Sequence, residues 1–268
     1  MRTDREKFPN PPLVLAAAEV RFPYAPRLKH QETWDRLAEE LRTVVPVLRK
    51  EQQATITLGP DGASVPSVET SLRLLDKAST SSLAFFPDRL VVESTDYVDF
   101  ATFQELTRRG VEAIDKLGGP VAVERIGLRY INEIRVPGRI ADTRDWTEWV
   151  APALVGIGEV AGAWPVTTLQ GVLQYKVGTD RHLIFRYAAL PDGSVIGDAP
   201  LRRTRAGSGP VFVVDLDCFW QPADGQLPDF VADQVMECVT ELHEPIEEAF
   251  LYVITERLKD EVLRKEAR

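Results

Sequence analysis

Four side chains in this chain have the types and spacing to do chemistry together: Arg129, Arg186, Asp215 and Asp217. Asp215 and Asp217 stand two apart in Val211–Phe219, a stretch that reads as a β-strand. Residues two apart on a strand share a face, so the two carboxylates form a candidate pair. A guanidinium presents parallel donors that fork onto a carboxylate or a phosphate, which makes Arg129 and Arg186 candidate anion-binding groups. The same alternation in the neighbouring apolar runs adds Arg125 and Glu133 beside Arg129. It also adds Gln170, Gln174 and Lys176 from Thr167–Val177, and His182 beside Arg186. A second basic cluster, Arg202, Arg203 and Arg205, falls in the long connection 191–210. Connections of this length without structure of their own are uncommon and are either functional or disordered. The plain reading of this one is a solvated hairpin tip.

Other catalytic and metal patterns are weak. The chain holds no phosphate-binding Gly-rich loop, no nucleophile elbow and no CxxC pair, so no cofactor is expected. His30, His182 and His243 have no ligand-spaced partners. His243-Glu244-Pro245-Ile246-Glu247 is superficially like a zinc-protease helix. The second histidine is missing and Pro245 interrupts, so zinc is not expected and His243 reads as a polar contact near a kink. Asn132, among apolar neighbours, reads as a buried anchor bonded to backbone. Cys218 and Cys238 lie in apolar surroundings and read as inert thiols of a reducing compartment.

The elements that position these residues follow from periodicity. The spacing predicts a first unit, residues 1–119, of strand Leu13–Phe22, helix Glu32–Val45, three extended segments and helix Phe100–Leu117. Residues 61–70 are weakly patterned and read as a loop. A second unit, residues 120–268, repeats the pattern: strand Val123–Ile134, helix Asp145–Leu154, three strands (Thr167–Val177, Arg181–Leu190, Val211–Phe219) and a long helix from Leu227. Pro245 is expected to kink or split that helix. Each unit reads β-α-β-β-β-α, a duplication of pattern and not of letters. The fold class is α+β. The two units are expected to pack as one curved, mainly antiparallel sheet with helices on one face, like a TATA-binding-protein saddle in outline.

Within that sheet Val14, Ala16, Ala18, Val20, Phe22, Leu173 and Tyr175 are expected to face the helices. The charged residues are expected on the open side. Two accounts of that side compete: a solvated face laced with cross-strand ion pairs, and a recognition surface. The recognition surface, together with Arg202, Arg203 and Arg205 of the long connection, points to a non-enzymatic binding or regulatory protein with a protein or peptide partner. A pocket for a small anionic ligand, or an enzyme's active site, on the same face is the alternative. Nucleic acid is a further one, weakened by the net charge of −9. Pairing of two copies through the face would consume it. The charged start Met1-Arg-Thr-Asp-Arg-Glu-Lys has no apolar run, and no stretch nears the roughly 20 apolar residues of a membrane helix, so a cytoplasmic protein is expected.

Three stretches carry a resemblance: Arg125-Ile-Gly-Leu-Arg-Tyr-Ile-Asn-Glu-Ile, then Leu242-His243 with Ile246, Phe250 and Ile254-Thr255, and Pro11-Pro-Leu-Val with Glu19-Val-Arg-Phe. Together they resemble a sporadically distributed, functionally uncharacterised bacterial protein family of about this length. The resemblance implies no activity and no catalytic residues. It implies an accessory gene, of the kind found in mobile elements or defence loci.

Overall fold

The structure is a computed structural model that describes residues 6–58, 64–117, 119–156, 164–194, 200–204 and 207–265. Among the described residues, nine strands form one antiparallel sheet. They are β1 (Leu13–Arg21), β2 (Val47–Leu58), β3 (Ser64–Leu75), β4 (Ser81–Phe85), β5 (Arg89–Ser94), β6 (Arg125–Ile134), β7 (Leu169–Gly178), β8 (Arg181–Leu190) and β9 (Val211–Trp220). Their order across the sheet is β2-β3-β4-β5-β1-β6-β9-β8-β7. β1, the middle strand, and its neighbour β6 come one from each half of the chain and pair from Leu13↔Asn132 to Arg21↔Arg125.

Three helices lie on one face: α1 (Gln31–Glu40), α2 (Phe100–Lys116) and α3 (Ala232–Val253). Alternate strand residues supply the floor of the core, among them Ala16, Ala18, Val20, Leu128, Val214 and Leu216. The helices close over it with Trp34, Leu37, Phe103, Ile114, Val239 and Leu242. The stripe spacing of α2 and α3 dictates this, because residues three and four apart share a helix face. Asp99 starts α2 by accepting from the Thr102 amide at 2.9 Å.

The structure departs from the expected elements in five places. Ser64–Leu75 is a strand, so four strands and not three separate α1 from α2. Pro66 hides that strand in the sequence. It lies opposite Ile56, in the part of β3 that pairs only with β2, where a proline is tolerated. Helix Asp145–Leu154 is instead two 3-10 turns, Thr143–Glu148 and Pro152–Leu154. Pro152 disfavours helical geometry at Ala151, and a capping box on Asp142 fixes the first turn. α1 stops at Glu40, five residues short. α3 stays helical through Pro245 and ends at Val253.

The fifth departure is in side-chain direction. A bulge between Leu13 and Leu15 turns Leu13 into the main core and Val14 out of it. At the far edge, β7 pairs only with β8, and α3 packs over β9, β6 and the margin of β8. Leu173 and Tyr175 therefore remain 43% and 47% exposed instead of joining the core.

Candidate functional site

The face away from the helices carries three cross-strand rows. The first runs Val172–Arg186–Asp215–Ile131, the second Gln174–Ile184–Asp217–Arg129 and the third Lys176–His182–Phe219–Gly127. The period-two pattern of four strands thus brings Arg125, Arg129, Gln174, Lys176, Arg186, Asp215 and Asp217 onto one surface.

Most of the charges on this surface are engaged with one another. Arg129 forks onto Asp215, its Nε and Nη2 each 2.7 Å from a carboxylate oxygen. Arg186 Nη1 reaches the same carboxylate at 3.5 Å. Asp215 itself is buried, while the Arg129 and Arg186 side chains are 46% and 39% exposed. The fork raises the Arg129 pKa above its ordinary value. Arg125 donates to Glu19 at 3.1 Å and to Asp217 at 3.5 Å, and its guanidinium lies 4.5 Å from the Phe219 ring centroid. Gly127 makes room for it, since a Cβ there would lie 2.6 Å from Arg125 Nη1. Burial pushes the Asp217 carboxyl above the usual range, against the pull of Arg125, Arg129 and Arg186. Gln174 and Lys176 project from the edge strand and are exposed.

Glu133 does not join this surface as an exposed group. It is buried, held by Arg135 at 3.2 Å and by the Ser194 hydroxyl. Around it, Ile131, Val211 and Val213 make a small apolar cluster with Val14 and Leu15.

The 191–210 connection is anchored where it is described. Arg135 donates to the carbonyls of Gly193 and Gly209 at 2.6 and 2.8 Å. The Arg202 amide donates to the Ser79 carbonyl at 2.7 Å, and the Thr95 hydroxyl to the Arg202 carbonyl at 2.7 Å. Thr204 returns a bond to the Thr95 carbonyl at 2.5 Å. A solvated tip is therefore not what residues 200–204 form; they bind the first half of the chain. The Arg202 side chain is exposed and Arg203 is half-buried. Arg205 lies outside the described residues.

A different set of polar groups meets on the helix side of the sheet. Tyr130 and Asn132 point there from β6, and His243 from α3. The Tyr130 and Tyr97 hydroxyls are 3.1 Å apart. The His243 ring stacks on Phe100 with centroids 3.8 Å apart and lies 3.8 Å from Glu247. Asn132 donates to the Val214 carbonyl at 3.2 Å, the backbone anchor its apolar neighbours suggest. These groups line a cavity of about 460 Å³, closed on one side by Pro11, Pro12 and Leu13. All three stretches that carry the resemblance contribute to it. The period-two pattern shows that Tyr130 and Asn132 share a face. Nothing local in the sequence indicates that Tyr97, Phe100 and His243 meet them.

Cys218 is buried and Cys238 half-buried. Burial pushes both thiols up to about 12. Among the described residues, no cluster of three or more histidine, cysteine or acidic side chains is placed to hold a metal ion, and no helix is long and apolar enough to cross a membrane.

No family model matches this chain, and no curated protein matches it in sequence.

Proposed function

We propose that the chain is a non-enzymatic binding or regulatory protein that engages a protein or peptide partner through the three outer rows of β6, β9, β8 and β7. One observation carries this reading. The side chains of Arg129, Arg186, Gln174 and Lys176 reach solvent from β6, β8 and β7 on a face that the three helices leave open. Exposed Val172 and half-buried Ile184 stand between them. Such a surface offers apolar contact flanked by forked donors, which suits a partner with carboxylates beside small apolar side chains. Each outer arginine has a carboxylate neighbour, so the face is close to charge-balanced. That favours a mixed-charge protein over a nucleic acid, which needs uncompensated cations against its phosphates.

Two further readings belong with this proposal. The chain is a duplication whose halves, 1–119 and 120–268, form one saddle-like sheet. In support, β1 is followed outward by β5, β4 and β3, and β6 by β9, β8 and β7. A long helix follows the strand next to the centre in each half. It acts in the cytoplasm of a bacterium, as the product of an accessory or defence locus; the resemblance and the two unpaired cysteines support this.

The test compares wild type with an Arg186→Glu/Lys176→Glu variant, which leaves the Arg129–Asp215 fork in place. Both are used as bait in the source cells at low salt, and the recovered partner is then purified and titrated against each. The proposal requires a single protein that binds wild type directly and binds the folded variant at least tenfold more weakly. Equal binding by the two would remove the outer rows as the site. Retention of DNA or RNA that falls steeply with salt would replace the protein partner with a nucleic acid.

A further inference from the structure

The cavity beneath the sheet is separate from the outer rows and has the build of a small-molecule site. Its volume of about 460 Å³ falls within the range of pockets that enclose small ligands, about 300–1,000 Å³. Phe8, Phe100 and Phe250 give it flat apolar walls, and half-buried Tyr97 and buried Tyr130 supply its polar floor.

The hydrogen bonds of that floor leave a remainder. Two phenols carry two protons, and the 3.1 Å contact between Tyr97 and Tyr130 uses one. The other is left for a third group. Burial raises both phenols, Tyr97 to about 12 and Tyr130 well above its ordinary value, so both stay protonated at neutral pH. The neighbouring Asn132 amide spends one of its two N–H donors on the Val214 carbonyl. Charged groups at the rim come as pairs, Lys7 with Asp99 at 3.0 Å and Arg264 with Glu6 at 2.6 Å, and the Glu247 carboxylate lies 3.8 Å from the His243 ring nitrogen. An ionic ligand would have to break one of them. A neutral ligand breaks none.

We propose that this cavity binds a small uncharged aromatic molecule bearing one hydrogen-bond acceptor, a carbonyl or a ring nitrogen. Its ring lies between the walls of Phe100 and Phe250. Its acceptor takes the spare proton of the Tyr97–Tyr130 pair. The exposed Val98 stands at the mouth.

The probe is 6-propionyl-2-(dimethylamino)naphthalene, a neutral naphthyl ketone whose emission moves to the blue in a dry site. Its partner probe is 2-(dimethylamino)naphthalene, which lacks the ketone. Wild type should bind the ketone saturably, at one site, with a blue shift. The Tyr97→Phe/Tyr130→Phe variant keeps the walls and removes both hydroxyls. It should bind the ketone about 2–10-fold more weakly, the worth of one net hydrogen bond, and the partner probe equally well. Val98→Trp places an indole over the mouth and should block both probes. Should the phenylalanine variant fail to fold, the preference of wild type for the ketone over the partner probe reads the same bond. Absence of saturable binding, binding that Val98→Trp leaves unchanged, or no preference for the ketone would each overturn the proposal.

Discussion

Replacing both Arg129 and Arg186 with methionine should strand the Asp215 carboxylate. Asp215 is buried, and its two oxygens receive Arg129 at 2.7 Å twice and Arg186 at 3.5 Å. Breaking a fully buried pair by removing one partner costs about 3–5 kcal/mol, and a fully exposed pair is worth about 0–1 kcal/mol. The Arg129 side chain is 46% exposed, so its share lies between these limits. Arg129→Met alone should cost about 1–2 kcal/mol, because Arg186 can close on the carboxylate. Arg186→Met alone should cost well under about 1 kcal/mol, since the short fork remains. The double variant has no cation left and should lose about 3 kcal/mol, more than the two single losses together. For a chain of this size that is a fall in Tm of about 6 °C. Adding Asp215→Asn should recover most of the loss, because it removes the uncompensated charge. Urea unfolding followed by circular dichroism reads all four variants, at constant denaturant slope. A double variant that loses less than about 1 kcal/mol, or that Asp215→Asn does not rescue, would show that water already solvates this carboxylate and would refute the burial argument.

Three other outcomes follow from the geometry. Gly171→Ala would place a Cβ 2.4 Å from the Tyr187 ring, so it should lower stability by about 1–3 kcal/mol, and Tyr187→Ala in the same chain should relieve that penalty in thermal melts. Asp99→Ala removes the α2 cap and should cost about 1 kcal/mol at neutral pH. Hydrogen bonds from Thr102 and Lys7 hold the Asp99 carboxyl down at about 2; this stabilisation is complete above the ordinary carboxylate pKa and lost as pH falls toward 2, so wild type and variant should converge there in acid unfolding. Cys218 and Cys238, with thiols pushed up to about 12, should resist a disulfide reagent at pH 8 in the native protein and react in urea; rapid native labelling would show that the α3–β9 contact opens.

The outer rows were legible in the sequence to an unusual degree. Period-two alternation needs only the strand boundaries, and the apolar runs give Arg181–Leu190 as found and Val211–Phe219, one residue short of β9. What alternation leaves out is pairing. The sequence places Arg129 and Asp215 on one face but not 2.7 Å apart, because register between strands 86 residues distant is set by the whole sheet. Exposure at the margin lies beyond alternation for the same reason. Leu173 and Tyr175 alternate like core residues, yet β7 is an edge strand that α3 barely reaches, and edge position is a property of strand order. Ser64–Leu75 escaped because its proline and serines match a loop, while its stability comes from the hairpin with β2.

From its sequence alone, the chain establishes an α+β composition, the two long helices that follow β5 and β9, and which residues of β6, β8 and β9 turn toward the core. These are local quantities, decided by side-chain spacing within a single element. Only the tertiary structure decided that Asp215 would be shared by two arginines, that Arg202 would anchor to the Ser79 turn, and that Tyr97, Tyr130 and His243 would surround one cavity. Those contacts join residues tens to hundreds of positions apart, and they exist because helix packing and strand order close distances that no local pattern encodes.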